Sequence, residues 1–299
     1  MDKTFTFKDT DITVNRLGYG VMQLPGKGIW GPSADENNAK KVLKHVLESE
    51  VNLIDTADSY GPFFANLYIK DAIEANPELA KGKVIATKVG QTRQGPSIWT
   101  ALGEPTFLRQ QVELNLWSLG LETIDLMQLH RVDPKFTLAE QVGELAKMRE
   151  EGKIKHIGLS EVTVDQLKEA MEIVPIVSVQ NRYNLIDRMY EDVLDFCEEN
   201  NIAFIPWNPI NGAKGSSLHD NRRGAEKLLD NQESPIFEVA KNHNVPTSAV
   251  AISWLLKRSK VMLPIPGTSS IDHFDQNMQA INFELTDDEF ALLSTMADV

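Results

Sequence analysis

Short apolar runs alternate with amphipathic helical segments along this chain, and few architectures accommodate that beat. Runs at 17–22, 51–54, 84–87, 124–129, 154–158, 176–179, 203–205 and 261–265 are apolar throughout rather than alternating, as strands covered on both faces are. Helical segments lie between them, several with readable starts. Ser33, Thr137, Thr163 and Thr286 each stand three positions before a Glu or Gln, the spacing of a capping box in which side chains satisfy the free N–H groups of a helix. Leu138, Val142, Leu145 and Met148 recur at the spacing of a buried helix face. Further helices are predicted at 37–49, 67–75, 106–119, 189–200, 236–242, 248–257 and 271–280. Eight strand–helix units predict an α/β fold, a closed (β/α)8 TIM barrel. A doubly wound open sheet is the competing architecture. Alternating residues at 4–7 and 12–14 flank a polar turn and predict an N-terminal β-hairpin. An extra C-terminal helix is predicted at 287–297, against the barrel exterior. No shift in composition divides residues 1–299, so one barrel domain is expected. The longest irregular stretch, 208–234, reads as a lid over a site.

Charge narrows the partners. A formal net charge of −13 argues against nucleic acid and acidic membrane surfaces, which need clustered Lys and Arg. It leaves room for a small anion in a local basic pocket. Cys197 is the only cysteine, so no disulfide forms within the chain, which fits a reducing compartment. On its helical segment Cys197 reads as a buried structural thiol. The first residues lack a basic region followed by an apolar run, and no window is apolar enough to span a membrane. A cytoplasmic monomer or weak homo-oligomer is expected.

Gly26, Gly28 and Gly31 match the pattern G-x-G-x-x-G, with Asp55 ending the next strand. In a dinucleotide fold those glycines open the helix, which brings the pyrophosphate to its N-terminus. Here Pro32 and Ser33 follow the last glycine and the capping signal lies beyond the motif. Ile29 and Trp30 add apolar bulk better suited to a pocket wall.

The strand ends carry the chemistry. In a barrel they share one rim, where active sites form. The second strand runs into Asp55, with Tyr60 five residues on; the third carries Lys88 among apolar residues; the fourth ends in His130. Each alone has a packing explanation, but an acid, a phenol, an amine and an imidazole at successive strand ends suit carbonyl reduction. An ammonium beside a phenol favours the phenolate and is expected to lower its pKa, and a carboxylate holds the ammonium in place. Tyr60 then protonates the carbonyl oxygen while His130 orients it. The histidines do not pair at metal-ligand spacing, and a nicotinamide is the natural hydride donor. A Schiff-base aldolase using Lys88 is chemically coherent but leaves Asp55 and Tyr60 unexplained.

These motifs, together with Leu17-Gly18-Tyr19-Gly20, Ile157-Gly158-Leu159-Ser160, Gln180-Asn181-Arg182-Tyr183-Asn184 and Pro264-Ile265-Pro266-Gly267-Thr268-Ser269, resemble those of the aldo-keto reductases. The resemblance covers nearly the whole chain, and within the family the pattern is similar to the branch around bacterial pyridoxal reductases. It implies a (β/α)8 barrel, NADPH (NADP+) as cofactor with NADH possible, and small aldehydes or ketones as substrates. Asp55, Tyr60, Lys88 and His130 match its catalytic tetrad. Ser160 and Gln180 match positions that hold the nicotinamide carboxamide; Glu161 stands where the family usually has Asn. Trp207 matches the aromatic that stacks on the nicotinamide, and Asn208, Pro209 and Ile210 the pyrophosphate segment. Gly267, Thr268, Ser269, Gln276 and Asn277 match the adenosine-phosphate end. His273 stands where a basic residue often meets the 2′-phosphate, and a histidine carries less charge at neutral pH.

Met22, Trp30 and Phe63, with Phe64, are candidates to wall the substrate mouth, an aromatic surface suited to a flat or apolar aldehyde. Arg131 reads as a solvated arginine, with an anionic substrate group as its alternative partner. No long loop follows the last helix, so an open site of loose specificity is expected. Some relatives of this fold are slowly cycling regulatory or sensor subunits, and that is the competing function.

Overall fold

The computed structural model of the protein describes residues 2–210 and 234–297. The lid expected at 208–234 falls largely outside them. The expected hairpin is present, β1 (Thr4–Thr6) pairing antiparallel with β2 (Thr13–Asn15). Phe5, Phe7 and Val14 join the buried cluster that holds Ile124, Ile154 and Ile176, the first residues of three barrel strands. The hairpin thus plugs the N-terminal mouth of the barrel with aromatic rings, each contributing roughly 1.5–3 kcal/mol when fully buried.

Seven parallel strands form one curled sheet. They are β3 (Tyr19–Gly20), β4 (Leu53–Asp55), β5 (Val84–Val89), β8 (Ile124–Leu129), β9 (Ile154–Ser160), β10 (Ile176–Gln180) and β11 (Ala203–Phe204), in that spatial order. The expected eighth strand, 261–265, is not regular. Pro264 and Pro266 have no N–H to donate, so the ladder cannot propagate through them. The segment still closes the barrel. Phe204 donates to the Val261 carbonyl at 2.9 Å and accepts from Leu263 at 2.8 Å, while Gly18 donates to the Pro264 carbonyl at 2.9 Å. The closure is tight: a Cβ on Gly267 would stand 2.6 Å from the Gly20 carbonyl oxygen. A (β/α)8 barrel results.

The helices pack outside: α1 (Glu36–Glu48), α2 (Phe64–Ala75), α3 (Pro77–Ala80), α4 (Pro105–Leu119), α5 (Leu138–Glu150), α6 (Val164–Met171), α7 (Glu191–Asn200), α8 (Pro235–His243), α9 (Thr247–Arg258) and α10 (Ile271–Met278). Thr137 and Thr163 form the predicted capping boxes with Glu140 and Gln166. Ser33 does not cap α1. Asp35 is the N-cap and accepts from the Asn38 N–H at 2.9 Å, because the chain enters the helix two residues later than the Ser33 pattern requires. The C-terminal helix α11 (Asp287–Ser294) has its own box, Thr286 with Glu289. It docks on α9 through stacked Trp254 and Phe290 rings 5.6 Å apart. Cys197 is fully buried in α7, and burial pushes its thiol pKa up, consistent with a structural role. Among the described residues no helix is long and apolar enough to cross a membrane.

One element went unread in the sequence. Between β5 and α4 lies an antiparallel hairpin, β6 (Gln91–Gly95) and β7 (Ile98–Ala101). Its alternating residues sit directly against a barrel strand, so the two merge in a linear reading.

Candidate active site

Four strand ends meet at the C-terminal rim. Lys88 on β5 is fully buried, with its Nζ 2.5 Å from Asp55 Oδ1 on β4, 2.8 Å from the Thr56 carbonyl and 3.4 Å from Tyr60 Oη. The second Asp55 oxygen accepts from Gln128 Nε2 at 3.1 Å and Gln180 Nε2 at 2.9 Å. Gln180 also donates to Gln128 Oε1 at 3.1 Å. The buried carboxylate is therefore held from three strands, as an ion pair inside a protein requires. Parallel register sets this up: Lys88 lies opposite Gln128, and Gln128 opposite Gly158. A Cβ on Gly158 would stand 2.1 Å from Ser178 Oγ and 3.1 Å from the Ser178 carbonyl oxygen, so a larger residue there would have to displace the Ser178 side chain.

A second polar network braces the same strands from outside. Thr56 donates to Asn66 Oδ1 at 2.8 Å, and Thr87 and Asn66 both donate to Asn115 Oδ1, at 2.8 and 2.9 Å. Asn66 and Asn115 are fully buried in α2 and α4, so the residues flanking Asp55 and Lys88 are tied to the helix layer.

The His130 ring stands edge-on to the Tyr60 ring, centroids 6.0 Å apart, and its Nδ1 lies 3.3 Å from Ser59 Oγ. Burial, with Arg131, Lys88 and Arg93 nearby, pushes the His130 pKa well below that of a free imidazole, so the ring is neutral at physiological pH. Tyr60 departs from expectation. Burial raises its pKa, and Lys88 offsets this only in part. The phenol is therefore held protonated rather than acidified. Burial alone would lower the Lys88 pKa, but Asp55 and Tyr60 turn the balance upward and the ammonium keeps its charge.

A cavity of about 920 Å³ opens above these groups. Asp55, Tyr60 and His130 line it, as do Ser160, Gln180, Trp207, Asn208, Pro209, Ile210, Gly267, Thr268, Ser269, His273, Gln276 and Asn277. Lys88 lies beneath, covered by its partners. Met22 lines the cavity, whereas Trp30 and Phe63 do not. Trp30 pairs with Gly61 at the loop base, and Phe63 sits in left-handed conformation, φ 63°, at the start of α2. The aromatic wall comes instead from the unread hairpin: Trp99 lines the cavity beside Gln91, its ring 6.3 Å from that of Tyr60. Arg93 anchors that hairpin. It donates to the carbonyls of Ile29 and Ser59 at 2.7 Å and Gly28 at 2.9 Å, with its guanidinium 3.5 Å from the centre of the Trp99 ring. The glycine loop at 26–31 does not line the cavity; it braces, through the Gly28 and Ile29 carbonyls, the hairpin that does.

Glu161 also lines the cavity. Its Oε1 accepts from Trp207 Nε1 at 2.7 Å and the Arg182 N–H at 2.8 Å, and its Oε2 from Tyr190 Oη at 3.2 Å. These donors are not legible in the sequence, where the nearest of them is 21 positions away.

Comparison with known proteins places the chain in a family. The Aldo/keto reductase family profile matches residues 16–298. An uncharacterized oxidoreductase of Schizosaccharomyces pombe is 44% identical over 288 residues, 96% of this chain and 88% of its own. The pyridoxine 4-dehydrogenase of Escherichia coli is 36% identical over 290 residues, covering 95% and 94% of the two chains. Among solved structures, a thermostable aldo-keto reductase crystallised with the inhibitor epalrestat superposes with a TM-score of 0.82 at 25% identity, covering 98% of this chain and 99% of that one. The profile over nearly the whole chain and a relative of this identity show that the chain belongs to the aldo/keto reductase family of oxidoreductases.

Proposed function

We propose that the protein reduces small aldehydes and ketones to alcohols with NADPH, and that Asp55, Tyr60, Lys88 and His130 perform the reaction. The observation that carries this reading is Lys88 Nζ, set between Asp55 Oδ1 at 2.5 Å and Tyr60 Oη at 3.4 Å beneath an open cavity. When bound, the cofactor supplies a hydride to the carbonyl carbon. The Tyr60 hydroxyl gives its proton to the carbonyl oxygen, and the Lys88 ammonium stabilises the phenolate left behind. Solvent then returns the proton to Tyr60. Neutral His130 donates a hydrogen bond to the same oxygen and fixes the carbonyl against the phenol. Asp55 holds Lys88 charged and in place.

The lining residues suit a nicotinamide dinucleotide. The cavity runs from the tetrad to the first turn of α10, and Ser248, whose buried hydroxyl oxygen has no partner among the described residues, also lines it. Trp207 offers a ring for the nicotinamide, Ser160 a hydroxyl for its carboxamide, and 208–210 the pyrophosphate wall. Gln180 contributes differently from the sequence reading: its amide N–H is engaged by Asp55 and Gln128, so it reaches the cofactor only through its remaining amide valences. Gly267, Thr268, Ser269, His273, Gln276 and Asn277 receive the adenosine phosphate. NADPH is the expected cofactor, and His273 in place of a permanent cation leaves NADH usable.

The relative that is a pyridoxine 4-dehydrogenase makes pyridoxal a first substrate to try. Oxidation of NADPH and NADH is followed with an aldehyde panel that includes pyridoxal, for wild type and Tyr60→Phe. Turnover by wild type and a large loss in the variant, with cofactor affinity kept, support the reading. Cofactor binding without turnover in both points to a sensor role.

A further inference from the structure

Among the described residues, the cationic side chains around the cavity are saturated, with one exception. Lys88 is paired with Asp55 at 2.5 Å and Arg182 with Asp187 at 2.8 Å, while Arg93 donates all round to backbone carbonyls. Arg131 lines the cavity directly after His130. It is half-buried, and no ion pair joins it to any described residue. Its Nη1 donates to the His130 carbonyl at 2.6 Å and to Ser160 Oγ at 3.1 Å. Those two bonds orient the guanidinium. They leave Nε and Nη2, the two donors on one edge of the fork, without a partner among the described residues. The side chain lines the cavity, where an arriving ligand can meet those donors.

Glu161 is the opposing charge that acts most strongly on Arg131. Burial lowers the Arg131 pKa and Glu161 is the first group to offset it. Yet the Glu161 oxygens are taken up by Trp207, Arg182 and Tyr190. Glu161 thus keeps Arg131 charged without occupying its donors. The guanidinium carbon lies 6.0 Å from the centre of the Trp207 ring, and the adjoining His130 ring lies 6.0 Å from that of Tyr60.

We propose that the Nε/Nη2 edge of Arg131 is a substrate subsite for a carboxylate, so that the preferred substrates are aldehydes bearing a carboxylate group. A guanidinium edge presents two parallel N–H bonds at the spacing of two carboxylate oxygens, and such bidentate, charge-assisted pairs are stronger and more directional than neutral ones. A half-buried guanidinium with unmet donors has lost part of its hydration, and an arriving anion restores those bonds. The subsite adjoins the group that orients the carbonyl, so one substrate can span both. This inference rests on the carbonyl-reductase reading for its consequence in turnover, though the anion subsite itself does not depend on it.

The test compares matched substrates, 4-carboxybenzaldehyde and 4-methylbenzaldehyde, with wild type, Arg131→Gln and Arg131→Lys. The ratio of kcat/KM for the carboxylate over the methyl compound is expected to fall roughly 10- to 100-fold in Arg131→Gln, the loss of a hydrogen-bonded charge. Most of the fall should lie in KM for the carboxylate, and Arg131→Lys should recover part of it. An unchanged ratio overturns the proposal, as does an equal weakening of NADPH binding, which would make Arg131 a cofactor contact. Titration of each protein with benzoate and with benzamide, read by tryptophan fluorescence, decides the matter without turnover. Benzoate binding that is stronger than benzamide binding and lost in Arg131→Gln supports the subsite even where no aldehyde is reduced; equal benzoate affinity in wild type and Arg131→Gln overturns it. Thermal unfolding of both variants separates these outcomes from misfolding.

Discussion

The Glu161 carboxylate receives the indole N–H of Trp207 at 2.7 Å. That single bond ties the end of β9 to the segment after β11, and the same carboxylate reaches the Arg182 N–H and the Tyr190 hydroxyl. Glu161 holds a left-handed backbone with φ 56°, which is uncommon for a residue with a side chain. The conformation turns the carboxylate inward to collect all three donors. Trp207 therefore presents its ring to the cavity at an angle set by Glu161.

Glu161→Gln keeps an acceptor for the indole and should leave thermal stability and tryptophan emission close to wild type. Glu161→Ala strands the Trp207 and Arg182 N–H groups and should cost roughly 1–3 kcal/mol, with a shifted emission spectrum and weaker cofactor binding. Parallel denaturation and NADPH titrations of the two variants check this. Equal behaviour of Gln and Ala would mean that the ring is held by packing alone.

Lys88 and Tyr60 should separate stability from catalysis. Lys88→Met leaves Asp55 charged and buried with only amide donors, which should cost about 3–5 kcal/mol. Tyr60→Phe removes one long bond of 3.4 Å, so its thermal midpoint should stay near wild type while kcat falls roughly 10²–10⁴-fold. Thermal unfolding beside steady-state kinetics reads both quantities.

His130 should make the fold sensitive to mild acid. Its folded pKa is depressed well below the free value of 6.5, so in that window the unfolded chain binds more protons and stability falls as pH drops below 6.5. His130→Gln should flatten this part of the profile. Unfolding free energies from pH 7 down to 5, compared between the two proteins, give the difference directly.

Asp58 should act in the opposite sense. It is buried, its oxygens make no well-formed hydrogen bond, and burial raises its pKa well above the free value against the pull of Ser59 and Lys88. The folded state then binds the extra proton, and stability falls as pH rises above about 3.9. Asp58→Asn should be more stable than wild type near pH 7, with the gap closing toward pH 4. A gap independent of pH would show that Asp58 ionisation is not coupled to folding.

Sequence alone determined the alternating strand–helix frame and the identities of the four residues at its rim. Both are local facts. Burial on two faces makes a strand uniformly apolar, and a capping box needs only residues three apart, so Thr137, Thr163 and Thr286 were legible without any fold. Tertiary structure decided what each polar group does. Gln180 turns its amide to Asp55, 125 positions away, and Glu161 reaches Trp207, 46 positions away. Such pairings depend on which donors the closed barrel brings together, and a linear pattern does not contain them. The anchoring role of Arg93 was hidden for the same reason, since it donates to the carbonyls of Gly28, Ile29 and Ser59 on two other loops. The protonation of Tyr60 also belongs to the tertiary structure. Sequence supplies the lysine that would acidify the phenol; burial of the phenol in the closed barrel opposes that lysine and outweighs it.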